Sequence, residues 1–204
     1  MIDPVIMNAR QPKDDEYGLA MLNRMNDRHR ELHQWALSHI SLEGRTSLLD
    51  IGFGGGQNIY NLSHLAPAAH VSGIDFSEAS YKKCAELNKE AIDEGRVALQ
   101  LGSAEDLPYD AGTFQLATAF ETVYYWPNIV LCFRNVHDVL AEGGEFLICN
   151  EDASLHGNEE LADALHMTFY SLSELEDLLH QAGFETVRTD THPNGKWICT
   201  VAVR

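Results

Sequence analysis

The sequence predicts a doubly wound α/β fold: a seven-stranded mixed sheet, parallel apart from one antiparallel C-terminal strand, with helices on both faces and an N-terminal helical lid. Three observations lead there. Short apolar runs alternate with helix-period segments through the middle of the chain, the order that builds a parallel sheet. The first of these runs stops abruptly at a glycine cluster, Gly52, Gly54, Gly55 and Gly56. The last two strand-like runs flank His192, Pro193, Asn194 and Gly195, turn residues that make a hairpin and reverse one strand.

In chain order, Leu19, Leu22, Met25, Leu32, Trp35, Ala36 and Leu37 recur mostly every three or four residues, which predicts one or two amphipathic helices over 16–41. These form a lid segment, 1–45, appended to a main domain, 46–204. A strand is expected over 47–51, a helix over 57–66, a strand over 71–75, a helix over 77–93 and a strand over 97–101. Then come a strand over 114–120, a helix over 127–140, a strand over 145–150 and a helix over 173–182. The closing hairpin pairs 184–190 with 196–203.

Bulk composition removes several function classes. The 204 residues carry 14 Lys and Arg against 31 Asp and Glu, a formal charge of -17, which repels a phosphate backbone and makes nucleic acid an unexpected partner. The 45% hydrophobic and 22% charged fractions are those of an ordinary globular protein. No stretch approaches the roughly 18 apolar residues that span a bilayer. Cys84, Cys132, Cys149 and Cys199 lie far apart, without a C-x-x-C pair, so reduced and mostly buried thiols are expected in a cytoplasmic protein.

The strongest functional segment is Leu48-Leu49-Asp50-Ile51-Gly52-Phe53-Gly54-Gly55-Gly56. Glycine allows the backbone angles and the close approach that a ligand resting on such a turn needs. A dinucleotide fingerprint, G-x-G-x-x-G, would place glycine at 57, where this chain has Gln57; the spacing is G-x-G-x-G and argues against a pyrophosphate. The next strand, Val71-Ser72-Gly73-Ile74-Asp75, ends in a carboxylate about 20 residues downstream, where this topology binds ribose hydroxyls. Together the two features point to a nucleoside ligand.

A third segment follows, Gly102-Ser103-Ala104-Glu105-Asp106-Leu107-Pro108-Tyr109-Asp110. With it the chain resembles the class I S-adenosylmethionine-dependent methyltransferases of Rossmann-like fold, in particular the small-molecule branch similar to the ubiquinone and menaquinone methyltransferases. The three segments match L-D-[IV]-G-x-G-x-G, G-[IV]-D-x-S and G-[DS]-A-x-x-L-P-[FY]-x-D in order, and the resemblance covers 46–150. It implies S-adenosylmethionine as cofactor, S-adenosylhomocysteine as product and a small-molecule methyl acceptor. Gly52, Gly54 and Gly56 would line the methionine end, Asp75 would bind ribose, Phe76 would pack on adenine, and Ala104 and Glu105 would border the ring. Asp50, Phe53, Asn58, Ser77, Ser103, Phe120 and Glu121 complete the implied cofactor set. Phe53 and Ser103 depart from the family, which often has Cys or a small residue at the first position and Asp at the second.

A fourth segment, Ala119-Phe120-Glu121-Thr122-Val123-Tyr124-Tyr125-Trp126-Pro127, begins where a strand should end. Aromatic faces attract a sulfonium cation by about 0.5 to 2 kcal/mol each, so Tyr124, Tyr125 and Trp126 could shape a transfer channel; for Trp126 the better reading is helix-to-sheet packing. Glu121 and Glu151, acids at strand ends, join Tyr124 as catalytic candidates. Methyl displacement requires mainly alignment, so a general base need not exist.

His29 and His33 fall on one helical face, but Asp27 and Glu31 point around the helix and supply no third ligand, so no metal site is expected. Instead Asn26, His29 or Arg30 would touch the methionine carboxylate or the substrate. One wall of the acceptor pocket would come from 151–170, with Leu155, His156, Met167, Phe169 and Tyr170. Two other functions remain open: an NAD(P)-dependent oxidoreductase and a non-catalytic S-adenosylmethionine-binding module. A monomer or homodimer is expected.

Overall fold

Residues 2–151, 157 and 159–204 are described by a computed structural model. Seven strands form one sheet in the order β3-β2-β1-β4-β5-β7-β6, six of them parallel and β7 antiparallel. This is the predicted fold, hairpin included. The chain divides into two compact units, 1–103 and 104–204.

The first unit opens with α1 (Glu16–Arg28) and α2 (Arg30–Leu37), which are followed by β1 (Ser47–Ile51), α3 (Gln57–Leu65), β2 (His70–Asp75), α4 (Glu78–Leu87), α5 (Lys89–Asp93) and β3 (Val97–Leu101). β1 pairs with β2 and β2 with β3, all parallel. Leu48, Leu49, Ile51, Val71 and Ile74 are at most 2% exposed, as expected of strands covered on both faces. Asp15 caps α1 by accepting a hydrogen bond from the Gly18 amide at 2.9 Å, and Ser77 caps α4 by accepting from Ser80 N at 3.2 Å.

The expected helix over 77–93 is in fact two, α4 and α5, which break at Asn88. The cause is a side chain turned inward. Asn88 Nδ2 donates to the Cys84 carbonyl at 3.0 Å and to the Gly56 carbonyl at 3.1 Å, so it ends one helix while gripping the glycine turn.

The N-terminal segment is fastened to this unit. Ser77 Oγ donates to the Pro12 carbonyl at 2.9 Å, Lys82 pairs with Asp14, and Asn26 Nδ2 on α1 donates to the Gly55 carbonyl at 2.9 Å.

The second unit contains β4 (Phe114–Phe120), α6 (Ile129–Val139), β5 (Leu140–Asn150), α7 (Glu159–Leu165), α8 (Leu172–Ala182), β6 (Thr186–Thr191) and β7 (Ile198–Val203). β4 and β5 are parallel, with an irregular register between Phe114 and Leu116. β5 begins five residues before the predicted start, because Leu140 already pairs with Phe114; Gly143, with φ 72°, then turns the chain before regular pairing resumes at Glu145. Ser171 and Glu174 close a full capping box on α8, and Gly183 ends it with φ 113°. Phe133, Phe146 and Phe184 form an aromatic core with ring centroids 5.9 Å apart in each adjacent pair.

Packing at the glycine turn gives a direct test. A Cβ on Gly56, whose φ is 85°, would lie 2.6 Å from Cys84 Sγ and 2.8 Å from Cys84 Cα, whereas one on Gly95, φ 74°, meets nothing within 4 Å. Gly95→Ala is expected to cost about 1 kcal/mol for the left-handed backbone alone. Gly56→Ala should cost about 3 kcal/mol or more, since overpacking adds to the same strain. Denaturant titration of the two variants measures the difference; equal losses would mean that the Gly56 contact is not tight.

Candidate functional site

In residues 1–103 the candidate residues gather at the carboxyl ends of β1 and β2. Gly52, Gly54 and Gly56 have φ of 79°, 49° and 85°, a left-handed geometry that favours glycine at each. The Gly52 amide donates to the Ile74 carbonyl at 2.7 Å and Gly56 N to the Phe53 carbonyl at 2.8 Å. Gly54 N donates to Asp75 Oδ2 at 2.9 Å, and Ser77 N donates to Asp75 Oδ1 at 2.9 Å. One carboxylate therefore links the turn after β1 to the turn after β2. Beside it the Phe76 ring is 44% exposed.

Burial pushes the Asp75 carboxyl up to about 6, against the pull of the amides of Ser77, Gly54 and Phe76. On α2, burial and then the charge of His29 push His33 down to about 3. The His29 and His33 rings lie edge to face with centroids 6.3 Å apart.

Not every sequence candidate offers a side chain to a ligand. Asp50 and Asn58 are buried and bonded to each other, Asn58 Nδ2 to Asp50 Oδ1 at 2.8 Å. The Phe53 ring is buried, with Cδ1 2.9 Å from where a Cβ on Gly73 would stand, so it packs beneath the turn. Ser77, 1% exposed, is occupied with its cap and with Pro12. These four residues shape the site from behind. Met25 on α1 brings Sδ to 3.6 Å from a would-be Cβ of Gly54, and Asn26 holds Gly55, so α1 packs against the glycine turn. His29 is half-buried, while Arg30 is exposed and 3.9 Å from Asp27. Ser103 is half-buried. Asn88 escaped the sequence reading; its only signal is a weak helix former inside an otherwise helical run.

In residues 104–204 a second cluster sits where β4 and β5 end. Phe120 is buried, and Glu121 follows with φ 55°, a strained value for a side chain of this type. What holds it there is bonding on every side. Glu121 N donates to the Cys149 carbonyl at 2.9 Å, Tyr124 Oη donates to Glu121 Oε2 at 2.9 Å, and Glu151 N donates to Glu121 Oε1. Burial, followed by the charge of Glu121, pushes the Tyr124 phenol well above its ordinary value, so it remains a donor.

Tyr125 packs edge-on against Tyr124 with centroids 4.6 Å apart. Trp126 stacks on Phe146 at 6.2 Å and bonds Thr122, a packing role. Asn135 Nδ2 on α6 donates to the carbonyls of Ala104 at 3.0 Å and Glu105 at 2.7 Å and so fixes that segment, a function invisible in the sequence. Phe169 stacks on Tyr124 at 5.9 Å, Tyr170 is half-buried beside it, and Met167 is half-buried. Asp152, Leu155 and His156 lie outside the described residues.

A parallel sheet whose first strand ends in left-handed glycines, with a carboxylate bracing them from the second strand, defines a nucleoside-binding α/β protein. The model of the family described as methyltransferase domain matches residues 42–190, and the chain belongs to that family. Among curated proteins it is 25% identical over 169 residues to an O-methyltransferase of Aspergillus sclerotiorum, covering 79% of this chain and 64% of that one. It is 27% identical over 120 residues to a ubiquinone/menaquinone biosynthesis C-methyltransferase of Geobacter sp., covering 58% of this chain and 51% of that one. The chain thus spans between half and two thirds of these relatives. Among solved structures, a methyltransferase in complex with a Haloferax volcanii methyltransferase activator superposes with TM-score 0.82 at 17% identity over 100% of this chain and 98% of that one. An S-adenosylmethionine-dependent methyltransferase of Aquifex aeolicus gives 0.76 at 16% over 100% and 99%. Those two likenesses establish the fold.

The opposed shifts of Asp75 and His33 are separable by mutation. Raised from 3.8 to about 6, Asp75 contributes stability that is fully present below pH 3.8 and lost as pH rises through 6, about 3 kcal/mol in all. Lowered from 6.5 to about 3, His33 contributes stability that is present above pH 6.5 and lost as pH falls toward 3. Relative to the parent protein, His33→Gln should therefore gain stability between pH 7 and pH 5 by about 2 kcal/mol, and Asp75→Asn should lose about 1 kcal/mol. Unfolding free energies at the two pH values check this; parallel profiles for all three proteins would refute both shifts.

Proposed function

We propose that this chain is an S-adenosylmethionine-dependent methyltransferase that acts on a small-molecule acceptor in the cytoplasm, as a monomer or homodimer. The observation that carries the proposal is the Asp75 carboxylate, buried yet positioned at the strand ends and holding Gly54 and Ser77.

The cofactor fits the residues present. Gly54 leaves open space where a side chain would meet only Met25 Sδ, Phe76 offers an exposed aromatic face, and Asp75 keeps lone pairs for a ribose diol. Gly52, Gly54 and Gly56 would accommodate the methionine end, and Met25 and Asn26 on α1, with His29 just after it, would cover it. Ala104 and Glu105, fixed by Asn135, would border adenine.

The cofactor supplies an electrophilic methyl group on sulfur, whose C–S electron pair leaves with the sulfur as the acceptor lone pair forms the new bond. The chain's own part is alignment and exclusion of water. Tyr124, held protonated, orients Glu121 and presents a ring, so neither its phenol nor a carboxylate already receiving two donors is available as a strong base. We assign Glu121 and Tyr124 to shaping the transfer site and Glu151 to its rim. Four free buried cysteines suit a reducing compartment, and the charge of -17 disfavours nucleic acid as substrate. Among the described residues no helix is long and apolar enough to cross a membrane.

Calorimetric titration tests the reading. S-adenosylhomocysteine should bind with a dissociation constant on the order of micromolar, and NADH should give no heat. Binding of NADH alone would move the protein to redox chemistry, and cofactor binding without methyl turnover on any acceptor would leave a binding module.

A further inference from the structure

At the start of α3 the Gly56 carbonyl has two donors. Tyr60 N donates to it at 3.0 Å, the first bond of the helix, and Asn88 Nδ2 donates at 3.1 Å from the end of α4. The same side-chain amide donates to the Cys84 carbonyl at 3.0 Å, which also receives the Asn88 backbone N–H at 3.0 Å. Both carbonyls would therefore keep a donor if the Asn88 side chain were removed. Asn88 is 3% exposed, and among the described residues nothing donates to its buried side-chain oxygen. Turning the amide over would aim that oxygen at two carbonyls, so its orientation is set.

A buried amide used on one side only is a poor choice for stability. Its orphaned acceptor costs free energy, and an apolar side chain of similar size would fill the space without that cost. What the amide supplies is direction. The peptide bonds of the described residues are all trans, so the Gln57 N–H points opposite to the Gly56 carbonyl. By holding that carbonyl, Asn88 fixes the plane of the Gly56–Gln57 peptide and turns the Gln57 N–H away from α4. The turn has no slack on this side, since a Cβ on Gly56 would stand 2.6 Å from Cys84 Sγ and 2.9 Å from Asn88 Nδ2. Gln57 is the first residue of the nine-residue α3, and Gly56 before it has no side chain to cap the helix. First-turn amides have no partner inside their own helix, and the positive end of the helix dipole favours an anion there.

Resting on the methyltransferase reading, we propose that Asn88 is a positioning residue for the methionine end of the cofactor. It does not touch the ligand; it holds the Gln57 N–H as a donor to the ligand's amino-acid carboxylate.

Two nucleosides isolate that carboxylate. S-adenosylhomocysteine carries it, and 5′-methylthioadenosine, which shares the adenosine and the sulfur, lacks it. Both are titrated calorimetrically into the parent protein and into Asn88→Leu. The variant should bind S-adenosylhomocysteine about fivefold or more weakly, while 5′-methylthioadenosine affinity and melting temperature stay within error, because no carbonyl loses its last donor. A merely structural role would weaken both nucleosides together. Asn88→Ala, which adds no bulk beside Cys84, carries the same comparison should the leucine variant fail to fold. Nitrogen-15 NMR of the parent protein needs no variant: the Gln57 amide should shift on saturation with S-adenosylhomocysteine and move far less with 5′-methylthioadenosine. Equal weakening of both nucleosides, unchanged S-adenosylhomocysteine affinity in the variant, or a Gln57 amide that responds alike to both ligands would overturn the assignment. Failure of S-adenosylhomocysteine to bind the parent protein would instead overturn the methyltransferase reading, so the two failures are distinct.

Discussion

The nucleoside half of this protein depends on one buried carboxylate. Asp75 ends β2 and receives the amides of Gly54 and Ser77, so the turn after β1, the turn after β2 and the start of α4 share a single acceptor. Burial makes the charge costly, and the amides recover part of that cost, leaving a group raised to about 6. Such a group is poised to gain from further donors, which is what a ribose diol supplies. The neighbouring parts follow from it: Gly54 must be glycine to aim its amide there, and Gly56 must be glycine to pass Cys84 and Asn88.

A second carboxylate has the corresponding role in residues 104–204. Glu121 accepts a strained φ of 55° in return for bonds to Tyr124 and to the Glu151 amide, joining the ends of β4 and β5. Removing the Tyr124 hydroxyl would leave that strain supported by one donor fewer. Glu121, a catalytic candidate in the sequence, accepts from the Tyr124 hydroxyl and the Glu151 amide in the structure.

Much of the fold was legible because period and punctuation agree. β1, β3 and β4 have the bounds that the apolar runs predict, and the hairpin of β6 and β7 follows from Pro193, Asn194 and Gly195. The glycines and Asp75 were legible because few backbones other than a ligand turn need G-x-G-x-G directly after a strand. What stayed hidden depends on contacts between distant positions. Asn88 sits in a run whose helical period is intact, and its inward bonds to the Cys84 and Gly56 carbonyls coincide with the break. Asp50 and Asn58 read as ligand contacts by their motif positions but turn to each other inside the core, and no local pattern announces that Asn135 holds Ala104 and Glu105.

The most direct test is a carbon-13 NMR titration of the Asp75 side-chain carboxyl, recorded with and without S-adenosylhomocysteine. In the free protein the carboxyl should titrate near 6, and saturation with ligand should lower its midpoint by about one pH unit or more, because hydroxyl donors stabilise the ionised form. A midpoint near 3.8 in the free protein, or one near 6 that the ligand leaves in place, would contradict the account.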